Sequence, residues 1–241
     1  YAFYAGTQWL AEADLNCANI GYQAFYNQDN LTGITFGSGV KNIGDRAFDE
    51  CDGIESIVIP DPHIISGNAF NNADWIKDLT VGSRHLGNSA FAGQANLRSL
   101  YIRDTNNFVR YNCFDSCTAL TDVRIGKWTK KVEYRSFYNC AITGDIKFRR
   151  GGVAGSSNLQ IMNNAFEGVN NKPNNVYING DYWDGIVGSE ISDSYVSFTN
   201  TTWPAGMSGA FYVTGDGWTI GESAGPHGKP VRQWTTYPNS V

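Results

Sequence analysis

The sequence lacks the features of membrane proteins and of nucleic-acid-binding proteins. Apolar residues make up 41% of the 241 residues, but they are interrupted throughout the chain. A membrane-spanning helix needs roughly 18 or more consecutive apolar residues, so we predict no membrane insertion in this segment. The net charge is −5 at pH 7. An acidic chain has no overall field that would draw it onto nucleic acid, so we predict no nucleic-acid partner.

Motifs for metal and phosphate binding are also missing. The five cysteines include no CxxC pair and the three histidines form no HExxH, so the sequence indicates no zinc site. The phosphate-binding motifs GxxxxGK[ST] and GxGxxG are absent too. We therefore predict that the chain is not an enzyme, with no catalytic residues, no metal and no cofactor. The alternative is an enzyme site in the C-terminal part.

The sequence does contain an internal repeat. A phenylalanine, in most copies preceded by alanine, recurs at intervals of 21 to 29 residues. We call these seven residues the anchors: Phe25, Phe48, Phe70, Phe91, Phe114, Phe137 and Phe166. Phe3 lies 22 residues before the first anchor and is a candidate for an eighth, degenerate copy. A fixed period of this length is typical of repeat architectures, so we predict about seven repeats.

Apolar residues hold fixed distances from the anchors. They occupy the position five residues before every anchor, and positions +9 and +11 after each of the first six. Side chains at +9 and +11 point to the same side of an extended strand, because strand side chains alternate. One coil of about 22 residues cannot bury these side chains alone, so successive coils must stack. The spacing therefore predicts a solenoid with a parallel sheet along one face.

One repeat shows a family resemblance. Residues 43–60 read IGDRAFDECDGIESIVIP, which resembles the BspA-type leucine-rich repeat, Ile-Gly-x-x-Ala-Phe-x-x-Cys-x-x-Leu-x-x-Ile-x-Ile-Pro. The resemblance covers about residues 18–180. It implies a leucine-rich-repeat solenoid with irregular or short helical connections between the strands. It also implies a non-enzymatic surface protein for adhesion or protein–protein recognition, which binds host proteins, matrix proteins or other cells.

The period ends near residue 180, so we divide the chain into a solenoid, 1–180, and a β-rich module, 181–241. The module contains short alternating runs such as Gly209–Val213, separated by glycine-rich turns and proline. It is interpreted either as a cap on the solenoid or as a separate binding module. Residues 203–213 resemble the knob modules of phage tail fibres. The alternative function is therefore a viral receptor-binding protein with the repeats as spacer.

The best candidate binding site is the outer side of the predicted sheet. Residues at +10 and +12 point away from the core, and those at +8 lie beside them. In the later repeats these positions are polar or charged: Tyr101, Arg103, Arg124, Lys147, Arg149, Asp78, Asp122 and Asp145. Tyrosine and arginine are common at binding hot spots. The expected partner is a protein or glycan on another cell, a matrix or a host surface, and the expected location is extracellular, on a cell or on a virion. The other interpretation is a solvated face whose charges neutralise one another.

The cysteines follow the repeat as well. Cys51, Cys117 and Cys140 each lie three residues after an anchor, and Cys113 directly precedes one. A stacked interior position favours a small side chain, and free cysteine is one of the most buried residue types. This pattern predicts a row of buried thiols. A disulfide between Cys117 and Cys140 is the alternative.

Overall fold

Each repeat forms one coil with two short strands. The computed structural model describes residues 9–61, 64–104, 108–126, 128–148, 159–162, 165–167, 176–178, 196–197, 211–213 and 231–233. The strands of one series are β1 (Glu12–Leu15), β3 (Gly33–Phe36), β5 (Ser56–Ile59), β7 (Asp78–Val81), β9 (Ser99–Ile102), β11 (Asp122–Ile125), β13 (Ile146–Phe148), β15 (Val176–Ile178), β17 (Phe211–Val213) and β18 (Val231–Gln233). The strands of the other series are β2 (Asn19–Ile20), β4 (Asn42–Ile43), β6 (Ile64–Ile65), β8 (His85–Leu86), β10 (Phe108–Val109), β12 (Lys131–Val132), β14 (Leu159–Ile161) and β16 (Val196–Ser197).

The strands stack into parallel sheets in which equivalent residues of successive coils are paired. The main sheet has eight strands in the order β5-β7-β9-β11-β13-β15-β17-β18, and β1 pairs with β3 in a separate two-stranded sheet. Ile57 pairs with Leu79, and Leu79 pairs with Leu100, so the +9 residues form one row. The register therefore follows the repeat, as predicted for a stacked solenoid.

A second sheet was not predicted. The narrow sheet has eight strands in the order β16-β14-β12-β10-β8-β6-β4-β2, on the segment that leads into each anchor. In its strands β2 to β12 the apolar residue at −5, such as Ile43 or Leu86, is buried, and the residue before it lies on the outer side. Runs of only two residues are too short to give a recognisable alternating pattern, so the sequence did not reveal these strands.

The anchors form a single column through the core. Adjacent rings, from Phe25 to Phe166, are nearly parallel, and their centroids lie 4.8 to 5.4 Å apart. Phe48 and the anchors after it are completely buried. The apolar rows at −5, +6, +9 and +11 pack around the same column. This arrangement confirms the stacked coils that the spacing predicted.

The connections around the anchors are irregular, and the described residues contain turns and strands but no helix. Residues two before and two after each of the first six anchors adopt positive φ angles between 51° and 74°. They are Gln23, Asn27, Arg46, Glu50, Asn68, Asn72, Ser89, Gly93, Asn112, Ser116, Arg135 and Asn139. Left-handed conformations cost about 1–2 kcal/mol for residues other than glycine. Backbone hydrogen bonds between coils offset this cost; the amide of Phe48, for example, donates to the carbonyl of Ala69 at 2.7 Å.

The cysteine row is buried as predicted. Cys51, Cys113, Cys117 and Cys140 are buried free thiols, and Cys17 is exposed. Each +3 thiol also donates to the anchor carbonyl of the preceding coil, with Cys51 Sγ 2.9 Å from the oxygen of Phe25 and Cys140 Sγ 3.1 Å from that of Phe114. Gln94 makes the same bond, through Nε2, to the carbonyl of Phe70. A donor at +3 therefore satisfies a buried backbone acceptor, which explains why cysteine and glutamine both occur there.

Strands from the C-terminal part continue the main sheet. Phe211 pairs in parallel with Val176, and Val231 pairs with Phe211. Most of residues 181–241 lie outside the described part of the chain, as does Phe3. The boundary at residue 180 and the interpretation of the module as cap or knob therefore stay predictions.

Candidate functional site

The predicted binding residues lie on the outer side of the main sheet. Tyr101 is paired with Arg124, and Arg124 is paired with Lys147, so the three form one row across β9, β11 and β13. Neighbouring parallel strands are about 4.8 Å apart, so these side chains start from adjacent positions. Arg124 is exposed, whereas Tyr101 and Lys147 are half-buried. We call this row the basic row.

A second row with acidic residues runs beside the basic row. Asp78 and Asp122 both pair with Ser99 and are exposed. Asp145, which is half-buried, directly precedes β13 and extends the row. The two rows are two residues apart along each strand, or about 7 Å. The outer side of β7 to β13, with both rows and Arg103, is called the strand face below.

Two ion pairs hold cations of the strand face. Arg103 Nη1 lies 3.7 Å from Asp61 Oδ1, and Lys147 Nζ lies 3.9 Å from Asp145 Oδ2. Sequence spacing could not predict the first pair, because Asp61 lies on the segment that connects β5 to β6, two coils before Arg103. The Arg103–Asp61 pair is exposed, and exposed pairs are worth about 0–1 kcal/mol, so it orients the side chains more than it stabilises the fold.

Two cations of the basic row lie next to each other. Arg124 and Lys147 are paired on neighbouring strands, and Lys147 also lies 3.9 Å from Asp145. Like charges at adjacent positions repel each other, and Asp145 offsets part of this repulsion. An acidic group on a partner would fit between the two cations.

One predicted site residue cannot be placed. Arg149 follows β13 and lies outside the described residues, as do His63 and His227. The sequence also contains a GxSxG pattern, residues 221–225, which supplies a nucleophile only on a sharp strand-to-helix turn. This segment is outside the described part too, so an enzyme site there stays an untested alternative.

Burial lowers the reactivity of the interior thiols that the structure describes. Burial raises the pKa of the Cys51 thiol to about 12, and it also raises the pKa of Cys113 and Cys140. Burial likewise raises the pKa of the carboxyl groups of Asp52 and Asp74, which lie on neighbouring coils. Thiols with a raised pKa are poor nucleophiles at neutral pH. Among the described residues, no cluster of histidine, cysteine and acidic side chains could hold a metal ion, and no helix could span a membrane.

The stacked coils, the two parallel sheets and the central column of rings define a leucine-rich-repeat solenoid. Residues 1–121 and 84–180 match the family model described as BspA type leucine rich repeat region (six copies). The chain therefore belongs to the BspA-type leucine-rich repeat family, as its sequence resemblance implied.

Two solved structures are similar to this chain. A leucine-rich repeat protein from Bacteroides ovatus ATCC 8483 is 16% identical with a TM-score of 0.49, and the match covers 89% of this chain and 71% of that one. A leucine rich cell surface protein from Faecalibacterium prausnitzii A2-165 is 14% identical with a TM-score of 0.45, and the match covers 74% and 63% of the two chains. No curated protein matches the sequence.

Proposed function

We propose that the chain is a non-enzymatic binding protein of a cell surface or the extracellular space. In this proposal the strand face binds a protein on another cell, in a matrix or on a host. Family membership supports a repeat protein whose sheet serves as an interaction surface. The pairing of Arg124 with Lys147 is the observation that carries the proposal, because it places two cations side by side on the outer side of the sheet.

The strand face also has the chemistry of a protein interface. Its centre combines an aromatic ring, Tyr101, with the guanidinium groups of Arg103 and Arg124. These residue types dominate binding energies where they become desolvated. Stacked coils hold them on a rigid backbone, so little conformational entropy is lost on binding. We therefore expect a partner surface with acidic groups opposite the basic row.

Charge reversal tests this proposal. The Arg103→Glu/Arg124→Glu double variant should lose at least about tenfold in affinity for any protein that the wild type binds, because a like-charge contact replaces an attractive one. The measurement is biosensor binding to a panel of purified matrix proteins and to intact cells. Thermal melting should change little, since Arg124 is exposed and the Arg103–Asp61 pair contributes only about 0–1 kcal/mol.

The matched control reverses two lysines on the side of the narrow sheet. Lys41 directly precedes β4, Lys130 directly precedes β12, and both are exposed. The Lys41→Glu/Lys130→Glu variant has the same net charge as the test variant and should bind like the wild type. If both double variants lose affinity equally, net charge rather than the strand face controls binding, and the proposed site is wrong.

A further inference from the structure

A shallow groove crosses the outer side of the narrow sheet, away from the strand face. It encloses about 340 Å³ over β6, β8 and the residue after β10. Its walls come from three successive coils and include Ile64, Ser66, Gly67, His85, Asn88 and Arg110. Pockets for small ligands usually have volumes of about 300–1,000 Å³, so this groove would hold one or two sugar-sized rings.

The position four residues before each anchor explains the shape of the groove. In the early coils this position holds Gly44, Ser66 and Gly87, and in the next coil it holds Arg110. A Cβ at Gly87 would lie only 2.4 Å from the backbone nitrogen of Gly67, so residue 87 takes no side chain without a backbone shift. Small residues therefore form the floor of the groove, and the long side chain of Arg110 closes one end.

Neighbouring side chains hold Arg110 in place. Its guanidinium carbon lies 5.4 Å from the centre of the Phe108 ring, and Nη1 lies 3.9 Å from Oε1 of Glu133. Glu133 is almost completely buried, and its other oxygen, Oε2, has no hydrogen-bond partner within the described part of the chain. The buried carboxylate attracts the guanidinium. Arg110 thus lies beside the groove before any ligand arrives, although Glu133 offsets part of its charge.

The rim beside Arg110 is flat and mostly apolar. Ile64, His85 and Phe108 are paired in register on β6, β8 and β10, so their side chains form one row on the outer side of the sheet. The rings of His85 and Phe108 are nearly parallel, at 7°, with centroids 6.4 Å apart. Ile64 is 43% exposed. The next residue in the row, paired with Phe108, is the cation Lys131.

The geometry points to a binding site for a carboxylate-bearing pyranose, the chemistry that uronic acids and sialic acids share. The apolar C–H face of the ring lies on Ile64 and His85, the exposed residues of this row that line the groove. Its carboxylate meets Arg110, whose planar fork of donors matches a carboxylate. Lys131 adds a second positive charge near the same end. This site is on the other sheet and does not depend on the strand face.

A saccharide fits this groove better than an extended peptide does. A peptide strand binds a sheet through a free edge, and here every strand from β4 to β12 is paired on both sides. The groove is also short, since it spans only three coils at about 4.8 Å per coil. A single pyranose ring with one anionic group therefore uses both the apolar rim and the cation at the end.

Saturation-transfer NMR on the full chain tests the inference. The probes are 3′-sialyllactose, a glucuronate-containing hyaluronan tetrasaccharide and neutral lactose. At least one acidic sugar should give saturation transfer at millimolar concentration, while lactose should give much less. Signals from sialyllactose alone or hyaluronan alone would identify which carboxylated sugar is the source. If neither acidic sugar binds, or if lactose binds equally well, the inference is wrong.

Variants locate the site. Arg110→Gln should weaken binding of the acidic sugar about tenfold or more, because it removes a charge-assisted contact. Ile64→Lys and Ile64→Asp remove the same apolar side chain and add opposite charges, so the lysine variant should bind several-fold more tightly than the aspartate variant at low salt. Arg124→Gln, on the strand face, serves as the control and should bind like the wild type.

These comparisons remain decisive if Arg110→Gln lowers stability. The two Ile64 variants change an exposed residue, and their difference depends on the sign of the charge near the groove. Equal affinities for Ile64→Lys and Ile64→Asp would overturn the assignment, as would unchanged binding by a folded Arg110→Gln variant. Binding of a short acidic peptide in place of the sugars would also overturn it.

Discussion

The column of anchors makes a quantitative prediction about stability. Phe91 is completely buried, and its ring stacks between Phe70 at 5.0 Å and Phe114 at 5.4 Å. Replacing a buried phenylalanine by alanine costs about 3–5 kcal/mol through lost burial and the cavity left behind. An aromatic pair adds about 0.5–1.5 kcal/mol beyond its buried area, and Phe91→Ala breaks two such pairs. We therefore expect a loss of about 4–8 kcal/mol.

The loss should change the unfolding transition as well as its midpoint. A domain is stable by only about 5–15 kcal/mol, so this variant removes a large share of the total. The strands of each coil pair only with those of the adjacent coils, and Phe91 lies in the middle of the described stack. Weakening one interface of a solenoid can uncouple the coils on its two sides. We expect the urea unfolding transition of Phe91→Ala to be broader than that of the wild type. Circular dichroism and tryptophan fluorescence measure this transition.

Two variants serve as controls for Phe91→Ala. Phe91→Leu keeps most of the buried volume and should cost about 1–2 kcal/mol. Trp75→Ala removes an aromatic side chain that is 47% exposed and should cost less than about 1 kcal/mol. A loss for Phe91→Ala no greater than that for Trp75→Ala would refute the conclusion that the ring column holds the coils together.

Two further predictions concern the turns and the thiols. Gly93→Ala should destabilise the protein by about 1–2 kcal/mol in urea unfolding, because φ is +74° there and the side chain of Asn72, whose Oδ1 would lie 2.5 Å from the new Cβ, must also shift. The control Ser116→Gly, at the same position one coil later, should change stability by less than about 1 kcal/mol. Native protein at pH 8 should take up one iodoacetamide, on the exposed Cys17, and denatured protein five, as counted by mass spectrometry. Burial raises the pKa of Cys51 to about 12, so rapid native labelling of Cys51 even at pH 10 would contradict its placement in the core.

The sequence predicted the core because the repeat itself encodes it. The rows at −5, +6, +9 and +11 of the described coils are mostly buried, and the anchors stack as expected. A position that must face the interior in every coil is apolar in every repeat, so it appears in the sequence as a period of about 22 residues. The main sheet, its register and the buried thiols follow from that period.

The features that the sequence did not reveal depend on contacts between coils. The strands of the narrow sheet and the paired left-handed turns are fixed by backbone hydrogen bonds such as that from Phe48 to Ala69. Backbone bonds place little demand on residue type, so serine, glutamine, arginine and asparagine all occupy the left-handed positions. The groove was missed for a related reason, since it arises where Ser66 and Gly87 are followed by Arg110.

For the strand face, the sequence predicted which residues point outward but not how they are paired. The alternation of strand residues is enough to place Tyr101, Arg124 and Lys147 on the outer side. Arg103 contacts Asp61 across two coils, a distance along the chain that no local pattern encodes. Whether this face binds a partner stays a prediction.

The spacing between Phe137 and Phe166 shows how tolerant the stack is. Their rings are 4.8 Å apart, as close as any other adjacent pair, although 29 residues separate them along the chain instead of about 22. Extra length in one coil can thus be accommodated without a gap in the column. Insertions between coils are therefore a means by which relatives could acquire new surface loops. Whole coils could also be gained or lost in evolution while the rest of the solenoid is preserved.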